Sequence, residues 1–267
     1  MPLQITRAPL ASGSVEAWTL NDPASRNALS EAMVDALLAA CERAAADADL
    51  RGVVLRGAGG HFCAGGSLGG FAKTIGQPLA EGEADPLVPL NRRFGTLLQA
   101  LCALPQWLIV AVEGAAMGGG FGLVCCADHV LAHTSAQFAT PEVTLGIVPA
   151  QIAPFVVRRL GPSAARRCLL TGERWDAAAA LRLGLVDDLV EGDMNAALQA
   201  AIARHAAAAP QAVAATKRLL LAQADTPLPA LLDEAAMAFA KALRGPEAPQ
   251  GLAAFAARKA PPWSAKP

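Results

Sequence analysis

The sequence lacks an excess of charge of either sign: 22 lysines and arginines stand against 23 aspartates and glutamates. That balance excludes the basic field by which proteins gather nucleic acid and the polybasic tract of a membrane anchor. Also missing is any Cys-x-x-Cys pair among Cys41, Cys63, Cys102, Cys125, Cys126 and Cys168, or a histidine cluster at metal-ligand spacing, so no metal site is expected. The cysteines read instead as reduced, mostly buried small hydrophobes. No segment approaches the roughly 20 apolar residues of a membrane span, and Met1 to Arg7 lack an apolar run of signal-peptide length, so a cytoplasmic location is expected. Neither Gly-x-Gly-x-x-Gly nor Gly-x-x-x-x-Gly-Lys-Ser/Thr occurs, which argues against a dinucleotide oxidoreductase and a nucleoside-triphosphate enzyme.

What is present is apolar surface. Of 267 residues 54% are hydrophobic and 17% charged, enough for one large core and for further surface hidden in an oligomer. Val15, Ala17, Trp18 and Leu20 suggest a half-buried strand over Ser14 to Leu20, ended by Asn21-Asp22-Pro23. Ser30 can cap a helix whose Met33, Leu37, Leu38 and Cys41 recur at helical spacing to about Ala46. Val53-Val54-Leu55 and Leu108 to Val112 read as buried strands, each running into glycines; an apolar helix should follow from Phe121 to about Ala127. Gly76 to Pro89, rich in proline, glycine and acid, reads as a surface loop. Alanine-rich helices follow Pro162. The expected organisation is an α/β core over residues 1–194 and a helical region over 195–267.

Three segments carry chemistry. In Gly57-Ala58-Gly59-Gly60-His61-Phe62-Cys63-Ala64-Gly65-Gly66-Ser67-Leu68, glycines directly after a strand let backbone N–H groups turn toward a ligand. Gly114-Ala115-Ala116-Met117-Gly118-Gly119-Gly120 lies between a buried strand and a helix, so the first-turn N–H groups can hold a developing negative charge. Two such donors suggest an oxyanion hole. In the third segment, Phe138 to Pro149, the only ionisable side chain is Glu142, set among apolar neighbours whose desolvation raises a carboxyl toward a usable base.

In this order the segments resemble the enoyl-CoA hydratase/isomerase (crotonase) family, from about Trp18 to Trp263. Phe62-Cys63-Ala64-Gly65-Gly66-Ser67-Leu68 is similar to the family's first oxyanion segment, and Val112-Glu113-Gly114 through Gly120 to its second. Pro141-Glu142 with Leu145-Gly146-Ile147-Val148-Pro149 is similar to the segment bearing its catalytic glutamate, while Asn27-Ala28-Leu29, Phe255, Lys259 and Trp263 add to the likeness. The resemblance implies a spiral of ββα units with a C-terminal helical trimerisation region, assembled as a trimer or a dimer of trimers. It implies Gly66 and Gly119 as N–H donors to a thioester oxygen and Glu142 as the catalytic carboxylate. It further implies Arg26, Ala28, Ala64 and Leu68 at the nucleotide of an acyl-CoA, and Phe255 and Lys259 reaching a neighbour's CoA. Coenzyme A would enter as part of the substrate, with no separate cofactor.

Two positions depart from the family pattern. Ser67 replaces the usual aspartate, and Gly122 stands where two-glutamate hydratases carry the first glutamate. A single carboxylate is what Δ3,Δ2-enoyl-CoA isomerases use. Gly146 to Val157, however, is most similar to the branch hydrating methylglutaconyl-CoA and isohexenylglutaconyl-CoA, which commonly has a small residue at the first glutamate position. The expectation is therefore hydration of a branched or glutaconyl-type 2-enoyl-CoA, with the bare Gly122 leaving room for the substituent. Isomerisation through Glu142 is the alternative, and a non-catalytic CoA-binding member is a third reading. Gly65-Gly66-Ser67-Leu68-Gly69 also matches the Gly-x-Ser-x-Gly elbow of serine hydrolases, without a convincing following helix.

Overall fold

A computed structural model of the chain describes residues 1–67, 74–80 and 82–264. β1 (Leu3–Pro9) and β2 (Ser14–Leu20) form an antiparallel hairpin. In β1 only Leu3 is buried, so this edge strand carries no core-facing alternation and is not legible as a strand in the sequence. α1 (Glu31–Ala46) starts as expected: Ser30 Oγ accepts from the Met33 N–H at 3.2 Å. β3 (Leu50–Gly57) then pairs parallel with β2.

The expected loop from Gly76 to Pro89 is corrected at its end, because α2 (Leu87–Ala103) begins inside it. Asp85 Oδ1 accepts from the Leu87 N–H at 2.8 Å, and Pro89 lies in the first turn, where its missing N–H costs no intrahelical bond. Proline there marks a helix start rather than a loop.

Next come β4 (Trp107–Val112), β5 (Ala115–Met117) and α3 (Gly119–Cys125), then β6 (His129–His133), β7 (Gln137–Ala139) and α4 (Ala153–Thr171), two successive ββα units. α4 is broken at Gly161, whose φ of +72° precedes Pro162. β8 (Trp175–Asp176), α5 (Ala177–Arg182), β9 (Asp188–Val190) and α6 (Met194–Ala206) complete the core. The larger sheet runs β1-β2-β3-β4-β6-β9 and is parallel from β2 onward, while β5-β7-β8 form a second, three-stranded sheet.

Alternation sends the two faces of the larger sheet to different cores. Val53, Leu55, Leu108, Val110 and Val112 point into the main core with α1, α2 and α3, whereas Val54, Trp107, Ile109 and Ala111 meet Met194, Leu198, Ala201 and Ile202 of α6. Both faces are covered, which is why these strands read as continuous apolar runs. The helices that leave this core are α7 (Pro210–Ala222), α8 (Leu228–Arg244) and α9 (Glu247–Ala256), none of which contains a buried residue. No helix is long and apolar enough to cross a membrane among the described residues.

Candidate active site

The two glycine segments are zipped to each other. Cys63 N–H donates to Ala115 O at 2.9 Å, and Met117 N–H donates to Cys63 O at 2.9 Å. On the other side, Leu29 N–H donates to Gly65 O at 2.8 Å and Ser67 N–H to Leu29 O at 3.3 Å. Gly66 lies between these last two bonds, so its own N–H is turned away from Leu29, as alternation along a paired strand requires. It has no hydrogen-bond acceptor among the described residues. Gly119 opens α3, where first-turn N–H groups have no intrahelical acceptor.

Close backbone approach explains two of the glycines. Gly65 has φ +94°, and a Cβ there would meet Met117 O at 2.8 Å and Gly119 N at 3.6 Å. Gly118 has φ +50°, and a Cβ there would sit 2.8 Å from Glu142 Oε1. A side chain at either position would push apart the pieces that make the site. The loop at Gly65-Gly66, the start of α3 and the Glu142 carboxyl thus occupy one small region.

Glu142 sits in a single turn of 3-10 helix, Pro141–Leu145, fixed at both ends. Thr140 Oγ1 donates to Cys168 O at 3.0 Å, and Ile147 N–H donates to Glu142 O at 2.9 Å beyond the left-handed Gly146. The carboxyl is half-buried, and its Oε2 is buried with no hydrogen-bond partner among the described residues. Burial pushes its pKa above the ordinary glutamate value; the hydrogen bond from its own backbone N–H opposes this and is smaller. An acceptor oxygen shielded from water and free of a partner is suited to take a proton from something placed against it.

Asn27 organises the approach to the loop. It is fully buried at φ +59°; its Oδ1 accepts from Asp22 N–H at 2.9 Å, and its Nδ2 donates to Ala58 O and His61 O at 2.9 and 2.8 Å. This side chain ties the turn after β2 to the turn after β3. Arg26 O accepts from Ala64 N–H at 3.0 Å, and Leu29, next to Ala28, is bridged to Gly66, which brings Arg26, Ala28 and Ala64 near Gly66. Leu68 lies outside the described residues. Phe255, in the last turn of α9, and Lys259, three residues beyond that helix, are exposed, and no hydrogen bond among the described residues ties either to the loop.

The room expected beside Gly122 is not there. A Cβ on Gly122 would lie 2.4 Å from Ile152 Cγ2 and 3.7 Å from Leu98 Cδ1, so the Ile152 side chain fills the place of the absent one. Sequence reasoning missed Phe94 and gave Leu29 no place in the site, yet both pack against Gly119: a Cβ there would meet Leu29 Cδ1 at 2.7 Å and Phe94 Cζ at 3.2 Å. Phe94 belongs to the overlooked α2, and no local pattern marks it as a wall of the site. The histidines relevant to a hydrolase triad are engaged elsewhere. His129 Nδ1 and His205 Nε2 lie 3.1 Å apart, His129 Nε2 is 2.9 Å from Asp188, and His133 Nδ1 is 2.7 Å from Ser135 Oγ.

Comparison with known proteins agrees with this geometry. The family model described as enoyl-CoA hydratase/isomerase matches residues 11–266. A crystal structure of an enoyl-CoA hydratase/isomerase from Marinobacter aquaeolei superposes with a TM-score of 0.90 at 42% identity, covering 98% of each chain. Pseudomonas aeruginosa AtuE gives a TM-score of 0.90 at 46% identity, over 99% of this chain and 100% of that one. The 2,3-dehydroadipyl-CoA hydratase of Escherichia coli is 34% identical over 253 residues, 93% of this chain and 94% of the relative. With its fold and sequence matched over nearly its whole length, this chain belongs to the enoyl-CoA hydratase/isomerase family.

Proposed function

We propose that the protein hydrates a 2-enoyl-CoA thioester, with a branched or glutaconyl-type acyl group as the preferred substrate. The observation that carries this reading is the Glu142 carboxyl, half-buried, with one oxygen unpartnered among the described residues and the other against Gly118, next to two backbone N–H groups with no acceptor among the described residues. Gly66 and Gly119 N–H hold the thioester oxygen. Glu142 takes a proton from water, the hydroxide adds at Cβ, and the displaced electron pair moves through Cα to the oxygen in that hole. The same carboxyl, now protonated, returns the proton to Cα. Charge appears on the oxygen only as the reaction proceeds, so these donors act on the transition state more than on bound substrate, each to the extent of about 10²–10³ in rate.

The acyl preference rests on the resemblance of Gly146 to Val157, and on a relative named for a thioester with a second carboxyl group. Ile152 beside Gly122 requires the substituent to be housed elsewhere than in that gap. Arg26, Ala28 and Ala64, near Gly66 in the fold, are assigned by the resemblance to the nucleotide end together with Leu68, which lies outside the described residues; Phe255 and Lys259 are assigned to a neighbouring protomer in a trimer or dimer of trimers.

A second reading, Δ3,Δ2-enoyl-CoA isomerisation, is favoured by one observation. The position of the first glutamate is Gly122, packed in hydrocarbon, and a single carboxylate suffices to move a proton between carbons on one face. A panel of straight-chain, branched and glutaconyl-type enoyl-CoAs, scored separately for water addition and double-bond migration, separates the two. Hydration with the highest kcat/KM on a glutaconyl-type substrate is the expected result. Double-bond migration without hydration of any 2-enoyl-CoA overturns the hydratase reading.

A further inference from the structure

A cavity of about 640 Å³ lies away from Glu142, between the end of α2 and helices α7, α8 and α9. Leu221, Leu252 and Trp263 contribute to its wall, Lys217 reaches its edge, and Cys102 in the last turn of α2 opens into it. Of the six cysteines, Cys102 alone is incompletely buried. Its neighbour is Cys126, the residue that ends α3, whose Sγ donates to Leu98 O at 3.6 Å, one turn before Cys102, and to Gly122 O at 3.4 Å.

We propose that Cys102 is an oxidation site of this chain, reached by peroxide through that cavity, and that Cys126 captures the oxidised sulfur as a disulfide. The electrostatics of the six thiols point the same way. Burial pushes Cys41 and Cys63 up to about 12 and Cys168 up to about 11, and raises Cys125 as well. Cys102 is drawn down instead, first by the adjoining Cys126 thiol, with the positive charges of Arg158 and Lys217 assisting; burial and Asp128 oppose. Cys126 is driven well above the ordinary thiol value, mainly by burial. The thiol of the pair that lines the cavity is thus also the one drawn toward the thiolate.

The chemistry closes with peroxide as the oxidant. The Cys102 thiolate attacks one peroxide oxygen, the O–O bond breaks, and hydroxide leaves, so that sulfur loses two electrons and becomes a sulfenic acid. Cys126 sulfur then attacks Cys102 sulfur, the S–S bond forms and the sulfenic oxygen departs as water. Overall, two thiols and one hydrogen peroxide give a disulfide and two waters; a dithiol reductant reverses the linkage. Because the attacking Cys126 must lose its proton, the capture step accelerates as pH rises.

The test uses the native, full-length protein treated with a small excess of hydrogen peroxide, then denatured, alkylated and mapped by mass spectrometry. Trypsin leaves Cys102, Cys125 and Cys126 together between Arg93 and Arg158, so chymotrypsin is required. The expected result is a linked peptide pair joining Cys102 to Cys126, lost on reduction and absent from Cys102→Ser. In Cys126→Ser, dimedone should label Cys102. Without peroxide, iodoacetamide should modify Cys102 at least about tenfold faster than any other cysteine, the factor for one pKa unit in thiolate fraction. First reaction at another cysteine, a linkage that survives Cys102→Ser, or oxidation of wild type without linkage overturns the proposal.

Discussion

Six of the seven residues in α3 are buried, whereas none of the 17 in α8 is. Intrinsic preference runs the other way. α3 contains three glycines, each costing about 1 kcal/mol against alanine in a helix, while α8 is rich in alanine and leucine. A helix that would not form alone is held by the core around it, and one that forms readily presents Leu228, Leu232, Met237 and Phe239 at its surface, each at least 60% exposed. The site was therefore built where the backbone is least self-sufficient, because only glycine lets Gly65, Gly118 and Glu142 approach so closely. Apolar surface of the kind on α8 is what an assembly interface uses.

The largest effect should come from removing the carboxylate on the α3 side of this contrast. Glu142→Gln is expected to lower kcat for hydration by about 10²–10⁴ while leaving the fold intact, measured by steady-state kinetics and circular dichroism. Its pH behaviour carries a sign. The folded pKa lies above the unfolded one, so the neutral form favours folding, and the associated stability is present at low pH and lost as pH rises past 4.5 and through the raised value. Glu142→Gln should therefore raise the melting temperature relative to wild type more at pH 7 than at pH 4. In wild type, the acidic limb of kcat/KM should lie above the ordinary glutamate value.

Packing supplies the next effects. Gly118→Ala combines a left-handed φ with a contact on Glu142 Oε1, and should lose activity as well as stability, with about 1–3 kcal/mol of strain read by denaturant unfolding. Gly122→Ala should cost about 1–3 kcal/mol through overpacking against Ile152. In an Ile152→Val background, which loses one methylene but keeps the branch at Cβ, Gly122→Ala should still cost about as much; in an Ile152→Ala background, itself about 2–5 kcal/mol less stable, the added cost of Gly122→Ala should be small, since the nearest contact is Ile152 Cγ2. An equal added cost in both backgrounds would show that the gap at Gly122 is not filled as described.

The smallest effect on folding belongs to α8. Phe239→Glu should change protomer stability by less than about 0.5 kcal/mol because its side chain packs against little within the chain. The same change should lower the assembled mass in light scattering if α8 forms the subunit interface. A large folding defect without a change in mass would erase the contrast between the two helices.

Some of this was legible in the residues. Ser30 before Met33, Leu37 and Cys41 announced α1, and the apolar runs around Val54 and Ile109 announced strands covered on both faces. The glycine segments and Glu142 stood out because each is chemically unusual where it sits. α2 did not stand out, since its start is occupied by Pro86 and Pro89, residues that look like loop when the hydrogen bond from Leu87 N–H to Asp85 is unseen. Nor did Phe94 or Ile152, ordinary apolar residues whose importance lies wholly in what they touch.

Sequence by itself determined which backbone could bend and which side chain could take a proton: glycines at 65, 66, 118 and 119, and one carboxyl in an apolar stretch. Tertiary structure alone decided that Cys63 pairs with Ala115 and Met117, that Gly118 faces Glu142, and that Ile152 fills the space beside Gly122. The reason is physical. Backbone freedom and ionisability are properties of a residue, whereas packing distance and desolvation belong to neighbours brought together from 24 to 54 positions away, and those exist only once the chain has closed on itself.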